Sequence, residues 1–276
     1  MIARAFRYEL PENIGEAVQM LAAGDGPPCT VTLAGGTVAV AEMTAGRRRP
    51  ALVLDLRRAG LGEIRREQGR IVIGACATYS MLLACDLVAS ALPLLASLAG
   101  AITGGAQIRN RGTVGGSACH ANPASDVPAA LVALDATLRC TSAAGTREIP
   151  AHAFFPGAFT TALAPGELLA EIVLEPQQGR WGYAKFKLAE SSWPIVTAAY
   201  VESGAGARLS LGGATATPLR LTLAAEDGEA EIAQQVAGAI DAPWSDVLAD
   251  GEFRRSIAPV MARRAYRQQR DTPEAV

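Results

Sequence analysis

The sequence predicts an α+β protein with two N-terminal lobes and a further α+β unit appended to them. Three observations carry that prediction. Elements alternate β-α-β-α-β ahead of about residue 56; a glycine-dense run, Thr103–Pro128, interrupts the second lobe; and beyond Pro176-Gln177-Gln178-Gly179 three successive strands give way to helices. The expected division is 1–175, with lobes of about 1–56 and 57–175, followed by 176–276.

In the first lobe, Asn13 and Glu16 have capping-box spacing ahead of an amphipathic helix through about Leu21. Cys29–Ala34 reads as a strand running directly into Gly35-Gly36-Thr37. A helical stretch to about Thr44 follows, then a strand over Ala51–Leu56, whose start Pro50 suits. The second lobe opens with a hairpin, Gly62–Arg66 against Arg70–Gly74, turned at Gln68-Gly69. Helical patterns cover Thr78 to about Ala84 and Pro93–Ile102. The glycine-dense run has no apolar period and is expected as a long ordered loop, with a helix resuming from about Ala124 to Ala133. Strands are expected over Thr137–Thr141, Arg147–Ile149 and Leu168–Leu174. In the last unit Tyr183–Leu188, Ile195–Glu202 and Ala207–Leu211 fit an antiparallel meander, with Gly204-Ala205-Gly206 joining two strands. Glu226–Ile240 and Arg255–Arg267 read as helices.

A chain of 276 residues, 50% hydrophobic, can bury a sizeable core and is too apolar for disorder. Its net charge of −2 gives no basic footprint for nucleic acid, and Arg47-Arg48-Arg49 ahead of Pro50 reads as a solvated turn. No apolar run reaches the length of a membrane span. The opening MIARAFRYELPE has no signal-peptide core, so a cytoplasmic protein is expected. Cys29, Cys76, Cys85, Cys119 and Cys140 form no C-x-x-C; they read as reduced thiols, and no metal or cluster site is expected in this chain. His120 falls in the glycine-dense run, whereas His152 reads as an ordinary surface or capping residue.

Gly104, Gly105, Gly112, Gly115 and Gly116 lie among Thr113, Ser117, Asn122, Ser125 and Asp126. Glycines at this density mark positive-φ turns or a backbone that must approach something closely. Small polar neighbours leave amides open to an anion. The second candidate is Leu33-Ala34-Gly35-Gly36-Thr37-Val38, where a strand enters a helix and the helix dipole favours negative charge, although glycine at such a turn also serves geometry alone. Two such loops suit a dinucleotide with its pyrophosphate between them. Neither a G-x-G-x-x-G between strand and helix nor a G-x-x-x-x-G-K-[ST] is present, so neither a Rossmann site nor a P-loop is supported.

The segment Gln107-Ile-Arg-Asn-Arg-Gly-Thr-Val-Gly-Gly-Ser117, followed by His120-Ala-Asn-Pro-Ala-Ser-Asp126, resembles the FAD-binding medium subunit of molybdenum hydroxylases, a family that includes the carbon monoxide dehydrogenase flavoprotein and the flavin domain of xanthine dehydrogenase. Phe6-Arg-Tyr8, Leu33-Ala-Gly-Gly-Thr37, Ile73-Gly-Ala-Cys-Ala-Thr78, Phe154-Phe155, Glu167-Leu-Leu169, Tyr183-Ala-Lys-Phe-Lys187 and Pro218-Leu-Arg220 fall in the family's order, so the resemblance covers nearly the whole chain. It implies a two-lobed FAD-binding domain of the vanillyl-alcohol-oxidase/CO-dehydrogenase-flavoprotein type with a C-terminal α+β domain. It further implies an oxidoreductase subunit that takes electrons from [2Fe–2S] clusters of a small partner. Substrate would be hydroxylated at a molybdopterin centre in a large partner, in an (αβγ)2 heterohexamer, and electrons would leave through FAD to an external acceptor.

By the same resemblance Leu33, Ala34, Gly35, Gly36, Thr37 and Val38 would wrap the pyrophosphate, and Thr103 would sit near the flavin. Thr113, Gly115, Gly116 and Ser117 would form a second wall, and Asp126 would accept from cofactor hydroxyls. Leu169 would pack on the cofactor and Lys187 would be its cationic neighbour. Each residue also has a plainer reading. Asp126 can cap the helix that follows it, Leu169 is core by default and Lys187 can be an exposed strand residue. Arg109 and Arg111 suit phosphate ligands, structural ion pairs or partner contacts. Leu188-Ala-Glu-Ser-Ser-Trp-Pro-Ile-Val196 departs from the family's charged continuation, and Trp193-Pro194 either reshapes the flavin edge or starts the Ile195 strand. No cysteine-rich insertion of the hydroxybenzoyl-CoA reductase kind is present. Two alternatives stay open: a stand-alone flavin oxidase, with Cys119 or His120 as a covalent tether, and a non-catalytic nucleotide-binding assembly module.

Overall fold

Capping residues and short apolar runs build the first lobe. In the computed structural model, which describes residues 2, 4–23, 30–204, 206–268 and 270–271, β1 (Arg7–Glu9), α1 (Ile14–Ala23), β2 (Thr30–Leu33), α2 (Ala39–Thr44) and β3 (Leu52–Asp55) follow in the expected β-α-β-α-β order. The strands form a parallel sheet in the order β1-β3-β2. β3 is central and buried along its length, which is why Leu52-Val53-Leu54 reads as an unbroken apolar run. The Asn13 carboxamide accepts from the Glu16 amide at 2.9 Å. The return bond of the capping box reaches the amide of Glu12, one residue upstream of the expected partner. Cys29, the expected first residue of β2, lies outside the described residues.

The second lobe is an antiparallel sheet of β4 (Ile64–Glu67), β5 (Arg70–Gly74), β6 (Thr137–Ser142), β7 (Gly145–Pro150) and β8 (Leu168–Leu174), in the order β4-β5-β8-β6-β7. Ile71, Ile73, Leu138 and Ile172 share a core with the helices of the lobe, and Leu168 and Ala170 pack with α1. β4 (Ile64–Glu67) and β5 (Arg70–Gly74) turn at Gln68 (φ +50°) and Gly69 (φ +85°), a two-residue loop with both central residues left-handed. Three helices follow: α3 (Tyr79–Leu83), capped by Thr78; α4 (Asp86–Ala91), which the sequence reading missed; and α5 (Pro93–Ala101), with proline in its first turn.

The glycine-dense run is not the long continuous loop that its composition predicts. It contains α6 (Gly105–Arg109) and α7 (Val114–His120), and α8 (Asp126–Ala133) starts two residues later than expected. Glycines and alanines hide helical periodicity because their helix faces bury backbone rather than side chain. β6 (Thr137–Ser142), β7 (Gly145–Pro150), the short α9 (Ala151–Phe154) and β8 (Leu168–Leu174) complete the lobe.

The last sheet is antiparallel, in the order β12-β11-β10-β9-β13. It is built from β9 (Arg180–Phe186), β10 (Val196–Ser203), β11 (Gly206–Gly212), β12 (Leu219–Ala224) and β13 (Arg270–Asp271), with α10 (Glu229–Ala239) and α11 (Gly251–Arg267) on one face. The meander is as expected, but β9 begins at Arg180 and ends before Lys187, and β12 was not anticipated. The β10–β11 turn passes through Ala205, outside the described residues. Val196, Ala198 and Tyr200 pack under α10 and α11. On the opposite face of β10, Ala199 and Val201 join the large core of the second lobe. α8 is shared between the two: all eight of its residues are buried, and it lies on β10 and β11. Gly212 permits this approach, since a Cβ there would fall 3.2 Å from the Ser125 carbonyl oxygen and 3.3 Å from the Ala129 Cβ.

Candidate functional site

Two glycine turns meet backbone to backbone. After β2 the chain turns through Ala34, Gly35, Gly36, Thr37 and Val38 into α2. A Cβ at Gly35 would lie 1.9 Å from the carbonyl oxygen of Arg111, so only glycine allows this contact. Gly36 is left-handed at φ +75°. The carbonyls of Gly36 and Val38 accept from Val40 and Glu42, at 3.0 Å each, which starts the helix. The amides of Gly36, Thr37 and Val38 donate to no protein group among the described residues. Several open donors side by side are what a pyrophosphate requires.

The partner segment treats its amides differently. Thr113 caps α7, its hydroxyl accepting from Gly116 N at 2.9 Å. Val114 N and Gly115 N donate to the carbonyls of Ala77 (3.1 Å) and Ala75 (3.0 Å). Gly115 is glycine because a Cβ would come within 2.5 Å of Ala75. The Ser117 hydroxyl is paired with the buried Tyr79 hydroxyl. The helix start is therefore satisfied internally. What this segment offers a ligand is the remaining hydrogen-bonding capacity of the Thr113 and Ser117 hydroxyls.

Thr103 stands on the turn after α5 with its hydroxyl oxygen buried and unpartnered, an arrangement that costs about 1–3 kcal/mol unless something bonds to it. Asp126, 3% exposed, is the first residue of α8. It does not cap the helix; its Oδ1 accepts from the Tyr183 hydroxyl and from Lys185 Nζ at 3.0 Å. Burial, and next the Asp126 charge, push the Tyr183 phenol well above its usual range, so that hydroxyl remains a donor. Lys185 Nζ also donates to the Ala101 carbonyl at 2.5 Å.

Leu169, on β8, is 4% exposed and belongs to the large core. Lys187 sits just past β9 and is tied to Glu190, with Nζ 2.7 Å from the carboxylate and 3.1 Å from the carbonyl. Arg109 and Arg111 make no side-chain hydrogen bond or ion pair among the described residues, which removes the structural-ion-pair reading. His152 is exposed, with Nδ1 3.1 Å from an Arg220 guanidinium nitrogen.

At the C-terminal end of α7 the His120 ring lies 5.4 Å from Phe159 and 6.2 Å from Trp193, and Phe159 is 6.3 Å from Trp244. Trp193 thus contributes to an aromatic cluster that joins the end of α7 to the last sheet. Ile195, two residues on, begins pairing through its amide to the Phe186 carbonyl at 2.7 Å. The pairing of Ile195 agrees with the reading of Trp193-Pro194 as the lead-in to the Ile195 strand. Burial lowers the His120 pKa below its usual value of 6.5.

Lys185 and Tyr183 are the polar residues the sequence reading left out of the site. The signal was there: Tyr183, Lys185 and Lys187 alternate with Ala184 and Phe186, which face the C-terminal core.

Open amides on one turn, an orphaned buried hydroxyl on another and a buried carboxylate at the start of α8 are the features of a nucleotide-cofactor chain. The family follows from comparison: residues 4–176 match the model described as FAD binding domain in molybdopterin dehydrogenase, and the chain belongs to that family. It is 32% identical over 281 residues to the carbon monoxide dehydrogenase medium chain of Hydrogenophaga pseudoflava, covering 96% of this chain and 97% of that one. The xanthine dehydrogenase FAD-binding subunit of Escherichia coli O157:H7 is 29% identical over 278 residues, covering 93% of each. Among solved structures, reconstituted CO dehydrogenase from Oligotropha carboxidovorans contains a chain that superposes with a TM-score of 0.88 at 33% identity, over 97% of this chain and 98% of that one. The residues present fit FAD, since the open amides suit its pyrophosphate and the Thr103 hydroxyl and Asp126 suit its hydroxyls and ring edge.

Proposed function

We propose that this chain is the FAD-carrying electron-transfer subunit of a heteromeric molybdopterin dehydrogenase. The observation that carries the reading is the meeting of the Gly35 turn with Arg111, which sets three open amides beside the Thr113–Ser117 wall. In this reading Leu33, Ala34, Gly35, Gly36, Thr37 and Val38 hold the pyrophosphate. Thr103, Thr113, Gly115, Gly116, Ser117 and Asp126 line the opposite wall. Leu169 supports the site from the core and Lys187 supplies a cation at its edge. The bound cofactor would supply the conversion between single-electron and two-electron transfer. The chain's own residues position it and exclude water.

The partners are a small [2Fe–2S] chain and a large molybdopterin chain, in an (αβγ)2 assembly in the cytoplasm. Supporting this are relatives named as medium chains or subunits over nearly their whole length. No helix among the described residues is long and apolar enough to cross a membrane. The domain boundary is proposed at 175/176, between the end of β8 and the start of β9.

The test is a visible spectrum of the purified full chain, alone and with its co-purifying partners, after FAD addition and gel filtration. Retained flavin released by denaturant, together with a small and a large partner chain, is the expected result. A protein colourless in both preparations overturns the reading. Flavin that stays attached after denaturation favours the oxidase alternative tethered through Cys119 or His120.

A further inference from the structure

A buried charged pair stands where the last sheet meets the glycine-dense segment. The Lys185 side chain is 10% exposed and that of Asp126 is 4% exposed. Their pairing joins β9, an element of the last sheet, to the first residue of α8. The same ammonium reaches the Ala101 carbonyl at the C-terminal end of α5, two residues before Thr103. It therefore links the end of α5, beside the turn that carries the orphaned Thr103 hydroxyl, to Asp126. Tyr183, two residues earlier on the same strand face, adds its hydroxyl to the same carboxylate oxygen.

Stability alone is a weak reason for this arrangement. A buried ion pair gains little over a well-packed apolar pair of the same volume, because desolvation offsets the attraction. The geometry is also one-sided. Both donors converge on Oδ1, and Oδ2 receives no protein donor among the described residues. A carboxylate held rigid by one oxygen presents the other in a fixed direction, and an ionised acceptor bonds a ligand hydroxyl roughly twice as strongly as a neutral one.

We infer that Lys185 is a positioning residue for the cofactor site, acting through Asp126: it fixes the carboxylate by one oxygen so that the other accepts from a cofactor hydroxyl. The inference rests on the FAD reading above. It makes the C-terminal unit a structural contributor to a site whose other residues come mostly from the N-terminal lobes.

The test is a cycle in the full chain using wild type, Lys185→Met, Asp126→Asn and the double variant. FAD affinity is read from flavin fluorescence, and the melting temperature of each apo protein is measured beside it. Asp126→Asn is expected to weaken FAD binding about ten- to a hundredfold, the worth of one hydrogen bond to a charged group. Lys185→Met should weaken it comparably, Lys185→Arg should restore most of the loss, and the double variant should bind no worse than Asp126→Asn alone. Each single variant leaves one buried charge without its partner and is at risk of misfolding; the double variant does not, so a double variant that melts as wild type and binds FAD no worse than Asp126→Asn decides the matter.

FAD binding by Asp126→Asn equal to wild type overturns the inference. So does a double variant a further tenfold weaker than Asp126→Asn, because Lys185 would then act independently of the carboxylate. If wild type binds no FAD, either alone or with its partners, the FAD reading itself fails. If wild type binds and Lys185→Met binds equally well, only the role of Lys185 fails.

Discussion

The two glycine turns of this molecule look alike in sequence and do opposite things. Gly35-Gly36 removes side chains so that a turn can press on Arg111 while the amides of Gly36, Thr37 and Val38 stay open. Gly115-Gly116 removes side chains so that a helix can press on Ala75, and the amides there are taken by Ala75, Ala77 and Thr113. One glycine pair makes a ligand surface and the other makes a packing joint behind it. Glycine density marks close backbone approach, and only hydrogen-bond accounting shows whether a ligand is what approaches.

The sharpest way to break that contrast is to add a side chain at each turn. Gly35→Val places carbon against the Arg111 carbonyl and forces the first turn away from the second. FAD affinity should fall about a hundredfold or more, as several charged hydrogen bonds are lost together, while the apo melting temperature falls only modestly because the turn is half-exposed. Titration of the variant with FAD beside a thermal melt checks both. An affinity within threefold of wild type would mean the open amides do not face the cofactor.

Gly115→Ala should reverse the balance. Its methyl meets backbone and Cβ of Ala75 inside the core, so the expected cost is about 1–3 kcal/mol of stability. In a chain of this size that is several degrees of melting temperature, at about 2–4 °C per kcal/mol. The loss of FAD affinity should be smaller than for Gly35→Val. Denaturant unfolding of the apo chain gives the stability directly.

Thr113→Ala sharpens the same point with a smaller change. Losing the cap on α7 should cost about 1 kcal/mol, and Thr113→Ser should recover most of it, because a serine hydroxyl can accept from Gly116 N in the same way. Equal melting temperatures for wild type and Thr113→Ala would show that the cap contributes nothing.

How much of this was legible beforehand follows from the same contrast. The β-α-β-α-β lobe, the Gln68-Gly69 hairpin and the β9–β11 meander were readable because their apolar periods and turn residues are local signals. The first turn was readable too, since a strand, two glycines and a helix in succession have few alternatives. α6 and α7 were not, because Gly105-Ala106 and Val114-Gly115-Gly116 carry almost no side chain from which a helical period could be read. The Asp126–Lys185 pair links residues 59 positions apart, and only the folded sheet brings them together. Resemblance supplied Asp126 and Lys187; alternation along β9 would have pointed to Lys185 as well.

The smallest expected effect lies at the far end of the packing joint. His120 closes α7 against Phe159 and Trp193, and burial, the largest influence, holds its pKa below 6.5, with Arg48 lowering it further and Glu42 opposing. A histidine neutral in the fold and protonated more readily when unfolded binds more protons in the unfolded state, so stability rises with pH across that interval. His120 therefore costs nothing above the ordinary histidine value. It becomes destabilising as pH falls through 6.5 toward the lower folded-state pKa. Melting curves between pH 7.5 and about pH 5 should show a decline that His120→Phe makes shallower, since the phenyl ring keeps the contact with Phe159 and removes the titration. A wild-type profile matching that of His120→Phe would mean the ring is protonated as easily in the fold as outside it. The aromatic cluster would then be open to water, and α7 would be a joint packed firmly at its glycine end and loosely at its histidine end.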